Sequence, residues 1–585
     1  MLSISGYSIL RGKAEVVELV DTLASGASGG NPVEVRVLFS AIILTLPNIS
    51  NLYWISSGAI SKNSMASVST ATIKKTSLLR STGLVSLMTM VSRVMGFIRD
   101  MLIAQMFGAQ AGIDAFLVAF KIPNFMRRLF AEGAFSQAFV PVLASYQEKQ
   151  SETELRQFIA RITGNLFMVL LGVTVIAVLA SPIVITIFAP GFDQGDLRFS
   201  LASDMLRITF PYLLLISLTA LCGAILNTFG RFGIPAFTPV LLNICMIVAA
   251  IYFAPMFDPP VIALAWGVFI AGIIQLAFQI PFLYRAGLLI KPSFNWHDAG
   301  VKKVLKLMVP ALFGVSVAQL NLLLDTVFAS FLPVGSVSWL YYSDRLTFFP
   351  LGVFGVAIST VILPHLSRVH SANSPEAYSK ALDWGVRMIL LIAVPSTIGL
   401  CLYAKPILIS LLAYGKFSQH DVLMTQKSLV TFSLGISAFM MVKLLGSAFY
   451  ASQNIRTPVK IGAYAMVINS ILCLLFIKPL AHAGLALASS IAGFFNAGSL
   501  MFLLIKQGKY RPHSGWGKFG TQLLVANGLL ALMLYITANE IDWIKYLAWQ
   551  KISLLFMMLF CAMAIYLIAL YAMGMRLAHL KEQAK

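Results

Sequence analysis

The sequence predicts an all-α polytopic membrane protein with about fourteen transmembrane helices. Of its 585 residues, 58% are hydrophobic and only 11% are charged, whereas soluble chains carry about 25% charged residues. The mean hydropathy is +0.83. Apolar runs of 18 or more residues recur from about residue 81 onward, and each is long enough to cross a hydrocarbon core of roughly 30 Å.

The candidate spans follow one another closely along the chain. They cover approximately residues 81–106, 112–146, 157–188, 203–229, 234–255, 260–285, 304–332, 336–368, 378–412, 420–451, 457–477, 482–505, 518–538 and 550–575. With the N-terminus in the cytoplasm, the even-numbered loops are basic and the odd-numbered loops are short and mostly neutral or acidic. The positive-inside rule therefore predicts a multi-pass membrane protein with fourteen spans and both termini cytoplasmic. It also accounts for the net charge of +20 without nucleic acid as a partner.

The chain contains an internal repeat. One constant offset along the sequence places GAFSQAFVPVL (133–143) on VAISTVILPHL (356–366), and it also places Gly112 on Gly335. We call it the repeat offset. Because each repeat holds an even number of spans, its two copies enter the membrane from the same side and are related by an axis along the membrane normal. This arrangement predicts two homologous six-helix lobes around a central cavity, with the last two helices outside the repeat.

These observations divide the chain into five parts. They are an N-terminal extension (1–75), an N-terminal lobe of six spans (76–285), an amphipathic connector (286–303), a C-terminal lobe of six spans (304–505), and two further spans with a cytoplasmic tail (506–585). The connector, AGLLIKPSFNWHDAGVKK, mixes apolar and basic residues, which is typical of a segment that lies along a membrane face.

The N-terminal extension differs from the rest of the chain. It contains the Gly- and Ser-rich stretch SGASGGNP and one weak apolar run, without the order of regions that defines a signal peptide. Residues 14–38 can be back-translated as a bacterial leucine tRNA gene, with ELVDTL in the D-arm and VEVRVL in the T-arm. We therefore expect translation to begin near Met65, and a genuine extension is the alternative.

Ionisable residues stand inside several spans. A charge at the centre of a membrane helix costs about 2.5–3.5 kcal/mol, so such residues usually face a cavity or a partner. The cations are Arg93, Arg99, Lys121, Arg127, Arg128, Arg345 and Lys443, and the neighbouring carboxylates are Asp100, Asp114, Glu132 and Asp344. Since arginine binds phosphate oxygens bidentately, the surplus of cations predicts a cationic cleft for an anionic substrate, such as a pyrophosphate. The alternative is that these residues pair with one another and stabilise the bundle.

Several motifs resemble those of the MurJ (MviN) family. They are SRVMGFIRD (92–100), DAFLVAFKIPNFMRRLFAEGAFSQAFVPVL (114–143), FPYLLLISLTALCGAILNTFGRFGIPAFTPVLLNI (210–244), SVSWLYYSDRL (336–346) and RTPVKI (456–461). Members of this family are the lipid II flippases of the multidrug/oligosaccharidyl-lipid/polysaccharide exporter superfamily. The resemblance runs from about residue 76 to the C-terminus.

The resemblance implies a V-shaped cationic cavity and a groove beside the last two helices that holds an undecaprenyl tail. It implies a location in the bacterial inner membrane and transport by alternating access. The cargo would be lipid II, the undecaprenyl-pyrophosphate-linked disaccharide-pentapeptide, which would move from the cytoplasmic to the periplasmic leaflet in support of cell-wall synthesis. The candidate substrate-binding residues are Ser92, Arg93, Arg99, Asp100, Asp114, Arg127, Asn243, Arg345 and Lys443. Phe348 stands where many relatives carry a glutamate.

No cofactor is expected other than a sodium ion. Some members of the family carry a sodium site in the C-terminal lobe, and Asp325 with Asn469 would supply oxygen ligands here; a plain polar contact between helices is the alternative. Membrane potential, protons and sodium are alternative driving forces. The expected partners are lipid II, the membrane and other cell-wall synthesis proteins.

Other functions fit the sequence less well. The nearest alternative is another exporter of the same superfamily, for a lipid-linked oligosaccharide or a drug, although a cleft for cationic drugs would favour carboxylates. An enzyme is not expected, because the sequence has no metal-ligand cluster, P-loop or nucleophile–base motif. The five cysteines show no CxxC spacing. A non-transporting scaffold would not need a surplus of cations in mid-membrane.

Overall fold

The structure is a computed structural model that describes residues 75–575, except for the side chains of 75–82, 131, 132, 313–318, 321 and 322. Within these residues the regular elements are helices, and no strand occurs. The extension, including the expected start near Met65, lies outside the described residues.

The first half of the described chain forms six helical segments. They are α1 (Lys75–Phe107), α2 (111–149), α3 (Glu152–Leu179), α4 (Leu197–Thr228), α5 (Gly233–Met256) and α6 (Ile262–Arg285). The second half forms eight more. They are α7 (Ala299–Ser330), α8 (Ser336–Ser371), α9 (Pro375–Leu402), α10 (Gln419–Ala451), α11 and α12 (the two arms of Arg456–Lys506, on either side of Ala481), α13 (Trp516–Glu540) and α14 (Ala548–Ala572).

The helical segments coincide with the predicted spans, and the all-α polytopic class is confirmed. Among the described residues, ten segments are long and apolar enough to cross a membrane, with α11 and α12 counted together. The segments α1, α2 and α7 do not meet this measure. The number of fourteen spans therefore stays a prediction.

The breaks in these helices recur at the spacing of the sequence repeat. A π-helical turn bends α2 at Arg127–Phe135 and another bends α8 at Leu351–Gly355. After α3 and α9 the chain breaks at Ala180 and at Tyr403, and a short helix follows each break. The irregular backbone thus follows the same repeat offset that relates the two halves of the sequence.

Helix α7 packs on both halves of the molecule. Val301 and Val304, in its first turns, belong to a core formed with α2, α3, α4 and α6, and the helix also packs against α11 and α12. It begins at Ala299, so the predicted connector is irregular backbone over 286–298. We call the end of the bundle that holds 286–298 the connector end, and the end that holds the α1–α2 and α7–α8 turns the opposite end.

Candidate functional site

A buried ion-pair network joins α1 to α8. Arg99 donates to Asp100 Oδ1 from Nε at 2.9 Å and from Nη2 at 2.6 Å. From α8, Arg345 Nε lies 2.6 Å from Asp100 Oδ2, and the hydroxyl of Tyr341 donates to Asp100 Oδ1 at 2.9 Å. One carboxylate therefore binds two guanidinium groups, and the network keeps a net positive charge.

Asn243 of α5 holds the other side of Arg99. Its amide oxygen accepts from Arg99 Nη1 at 3.1 Å, and its amide nitrogen donates to the backbone carbonyl of Ser92 at 3.1 Å. Arg99 is buried, and all three of its guanidinium nitrogens are engaged. In this conformation Arg99 orients the network, so its direct contact with a substrate stays a prediction.

Arg93 and Arg345 each lie against a glycine of the other's helix. A Cβ atom at Gly352 of α8 would collide with the guanidinium group of Arg93, and a Cβ atom at Gly96 of α1 would lie 2.7 Å from Nη2 of Arg345. Arg93 forms no ion pair with a carboxylate in the described part of the chain. The side chain of Arg345 is 42% exposed. Both arginines therefore have guanidinium nitrogens available to an anionic ligand.

Asp114 of α2 binds the first turn of α8. Its carboxylate, fully buried, accepts hydrogen bonds from the backbone N–H of Gly335 at 2.6 Å, from the backbone N–H of Ser338 at 2.9 Å and from the Ser338 hydroxyl at 2.5 Å. A carboxylate at a helix N-terminus satisfies unpaired N–H groups and the positive end of the helix dipole. Asp114 therefore caps α8 from α2 in this conformation, and its contact with a substrate stays a prediction.

Two further candidate cations, Arg127 and Lys443, lie on α2 and α10. Arg127 is half-buried and donates to Asn124 Oδ1, one turn earlier in α2, at 3.0 Å from Nε and 2.7 Å from Nη2. Lys443 is exposed on α10 and forms no ion pair with the carboxylates that the structure describes. Their contact with a substrate stays a prediction.

Asp325 of α7 and Asn469 of α11 are adjacent, as the proposed sodium ligands would be. However, Asn469 donates its amide N–H to Asp325 Oδ1 at 3.0 Å, and its amide oxygen accepts from the Ser489 hydroxyl at 3.3 Å. Lys121 also lies within electrostatic range of Asp325. A sodium ion needs several oxygen ligands facing one point, so this arrangement fits a polar contact between helices better than an ion site, and sodium binding stays an untested prediction.

Tyr341 is the residue of this network that the sequence reasoning missed. Its hydroxyl lies between Asp100 and Arg99, accepting from Arg99 Nη2 at 3.1 Å. The spacing along α8 could have identified it. Tyr341 precedes Arg345 by four residues, and residues four apart on a helix share one face.

The comparisons with known proteins agree with this architecture. The sequence model described as "Lipid II flippase MurJ" matches residues 103–575. The probable lipid II flippase MurJ of Haemophilus influenzae is 47% identical over 507 residues, which cover 84% of this chain and 99% of that protein. The lipid II flippase MurJ of Burkholderia cenocepacia is 40% identical, over 86% of this chain and 98% of that protein.

This chain belongs to the lipid II flippase MurJ family. A solved structure of lipid II flippase MurJ in an inward closed conformation matches with a TM-score of 0.69 and 27% identity, over 83% of this chain and 97% of that one. An inward-facing multidrug resistance MATE transporter of the MOP superfamily matches with a TM-score of 0.60 and 13% identity, over 73% of this chain and 97% of that one, which shows the fold alone. The resemblance of the motifs to the MurJ family is confirmed.

Proposed function

We propose that this protein flips lipid II from the cytoplasmic to the periplasmic leaflet of the bacterial inner membrane and so supplies peptidoglycan synthesis. Membership of the MurJ family and the names of its relatives support this cargo. The observation that carries it is the pair Arg93 and Arg345, which come from α1 and α8 and have nitrogens available between these helices.

The chemistry of this pair suits a pyrophosphate. Asp100 engages the Nε edge of Arg345, which leaves the terminal nitrogens of its fork for phosphate oxygens. Because Arg93 and Arg345 lie on different lobes, an anion bound by both would connect the lobes. Release of the anion would then favour a change in their relative position, as alternating access requires.

The contacts between the lobes at the opposite end support a direction. Besides the Asp114 cap on α8, the Lys416 backbone N–H donates to the Gln105 carbonyl at 2.8 Å, and Gln105 Nε2 donates to the Leu411 carbonyl at 3.2 Å. The loop charges predict that this end is periplasmic and that both termini are cytoplasmic. We therefore assign this conformation to a state closed toward the periplasm, in which lipid II enters from the cytoplasmic leaflet.

The cargo proposal is tested by removing the two arginines. Arg93→Ala and Arg345→Ala should each lower lipid II translocation about 10-fold to 100-fold, since a hydrogen bond to a charged group contributes about 1.5–3 kcal/mol. Lysine at either position should restore part of the activity, because it keeps the charge and loses the planar fork. The measurement is the accumulation of lipid II in each leaflet, beside the membrane level of each variant.

Arg285→Ala, at an exposed position on α6, is the control. A fall in membrane level in proportion to activity would contradict a role in substrate binding.

The orientation has a separate test. Single cysteines at Gln194 or Asp258 should react with an impermeant maleimide added to intact cells from the periplasmic side, and single cysteines at Lys302 or Lys509 should react only after permeabilisation. The opposite pattern would reverse the direction of transport proposed here.

A further inference from the structure

The segment between α12 and α13, residues 507–515, lies along one face of α9. We call it the α12–α13 link. Three α9 side chains hold it, namely Ser379, Asp383 and Arg387, which are spaced by four residues and therefore share a face. All three are buried, although each is polar or charged and stands outside the Arg93–Arg345 site.

Asp383 accepts most of the hydrogen bonds in this cluster. Its Oδ1 accepts from the Tyr510 hydroxyl at 2.9 Å and from Trp516 Nε1 at 2.8 Å, and the backbone N–H of His513 lies 3.4 Å away. Its Oδ2 lies 2.8 Å from Arg387 Nε. Burial, followed by the negative charge of Asp383, raises the pKa of the Tyr510 hydroxyl above its usual value. Tyr510 therefore keeps its proton and donates at physiological pH.

Arg387 and Ser379 bind the backbone of the same link. Arg387 Nη2 donates to the Ser514 carbonyl at 3.0 Å, and its guanidinium carbon lies 5.0 Å from the ring centroid of Trp516. The Ser379 hydroxyl donates to the Arg511 carbonyl at 3.0 Å and accepts from the Arg511 N–H at 2.9 Å. If the link lay elsewhere, these hydrogen bonds would be lost and the buried groups of α9 would be left unpaired, so the cluster favours one arrangement.

The equivalent face of the N-terminal lobe binds the equivalent segment by other means. The repeat offset places Asp383 on Ala160 and Arg387 on Gly164, both on α3. There the backbone of Ser293 lies directly against Gly164, and the Ser293 N–H donates to the Ala160 carbonyl at 3.0 Å. In each lobe, therefore, the third helix holds the segment that leaves the sixth helix. In the C-terminal lobe the ion pair lies within α9 and is buried. In the N-terminal lobe the ion pair joins Arg161 of α3 to Asp298 of the segment itself and leaves Arg161 32% exposed.

Further contacts attach α13 and α14 to the same lobe. The Tyr566 hydroxyl of α14 donates to the Leu391 carbonyl of α9 at 2.8 Å, and Gln522 of α13 donates to the Met573 carbonyl, just after α14, at 2.9 Å. Leu530 and Leu534 of α13 belong to the same core as Leu391. At the connector end, the start of α13 is held on α9 by the α12–α13 link together with the side chains of Trp516 and Phe519.

We propose that Ser379, Asp383 and Arg387 are positioning residues, which hold the α12–α13 link on α9 so that α13 and α14 move with the C-terminal lobe. This proposal rests on the proposed function in that the two helices are expected to border the groove for the lipid tail. The cluster then sets the position of that groove at the end where lipid II enters.

The test loosens the link without exposing a buried charge. In the full-length protein in lipid nanodiscs, Tyr510→Phe combined with Trp516→Phe removes two donors to Asp383 and leaves its ion pair with Arg387. Amide hydrogen exchange of residues 508–519 should become about 10-fold faster or more, with exchange in the rest of α9 and in α14 unchanged. Ser379→Ala removes only the two hydrogen bonds to the Arg511 backbone. It should therefore raise the exchange rate of the same residues by a smaller factor. Tyr535→Phe, at an exposed position of α13, is the matched control.

Transport supplies the second readout. The concentration of lipid II that gives half-maximal translocation should rise severalfold in the double variant, while the maximal rate and the membrane level stay near those of the parent. Unchanged exchange in 508–519, or an equal rise throughout α9 and α14, would overturn the positioning role. Faster exchange with an unchanged half-maximal concentration would overturn its connection to the lipid site. If lipid II is not the cargo, the parent itself will show no saturable translocation, and the exchange result still decides whether the cluster holds α13.

Discussion

Helices α2 and α8 occupy equivalent places in the two lobes and share a bend, yet their side chains differ. Both contain a π-helical turn at the position that the repeat predicts. The turn of α2 carries Arg127 and Arg128, whereas the turn of α8, LGVFG, has no charged residue. The repeat has thus kept the backbone of these helices, and the chemistry of the site depends on residues that differ between them.

The clearest difference is at a pair of equivalent positions. Lys121 of α2 corresponds to Asp344 of α8 by the repeat offset, and the two lie within electrostatic range of each other. Equivalent positions that interact must lie near the axis relating the lobes. The two lobes therefore place opposite charges near each other at these positions, although their backbones are alike.

Reversing one of these charges should have the largest effect. Asp344→Lys places a third cation beside Lys121 and Arg345, and close like charges cost several kcal/mol. We expect the membrane level and lipid II translocation to fall together, as immunoblotting and a leaflet assay would show. The double variant Lys121→Asp/Asp344→Lys restores opposite charges and should recover part of both. A double variant no better than the worse single variant would contradict the pairing of these positions.

The cap on α8 should have the next largest effect. Asp114→Asn replaces charge-assisted hydrogen bonds by neutral ones, which are weaker by about 1 kcal/mol or more each. Because three hydrogen bonds are weakened, the state closed at the opposite end should become about 100-fold less favoured. A single cysteine at Ala109, which is buried there, should react faster with an impermeant maleimide. Asp204→Asn, in an exposed ion pair with Arg207, is the control, and equal rates for the two variants would exclude a role for the cap.

The smallest effect is expected at the turn of α8 itself. Gly352→Ala adds a Cβ atom where the guanidinium group of Arg93 lies, so this flexible side chain must shift while its charge remains. Translocation should fall severalfold, less than in Arg93→Ala. Gly172→Ala is the control, because a Cβ atom there meets no other atom within 4 Å. A loss as large as that of Arg93→Ala would indicate that the bend of α8, rather than the arginine, is disturbed.

The sequence was sufficient for the helices because their signals are local. Apolar runs predict the spans one at a time, and the repeat is visible in motifs such as GAFSQAFVPVL. Breaks such as those at Ala180 and Tyr403 were not predicted, since neither residue is a proline or glycine. A proline does stand in the first turn of the short helix after each break, Pro182 and Pro406. Since proline is tolerated in the first turn of a helix, its presence there does not by itself predict where the preceding helix ends.

The site could be predicted only in part, because its contacts join distant residues. The cations and their surplus were visible in the sequence, but Arg99 is held by Asn243, 144 residues away. Asp114 binds backbone N–H groups at the start of α8, in the other half of the chain, and such groups have no signature in the side-chain sequence. Gly96 and Gly352 could not be distinguished from other membrane glycines until the arginines beside them were located.

The opposite charges at Lys121 and Asp344 have a consequence for how such a molecule can be assembled. In a dimer of two identical six-helix chains, rotational symmetry would place the same residue on both sides of the axis. Two lysines or two aspartates would then face each other and repel. Equivalent positions close to the axis can attract each other only when the two halves differ in sequence. A chain that contains both halves can therefore carry an attraction that a homodimer cannot have.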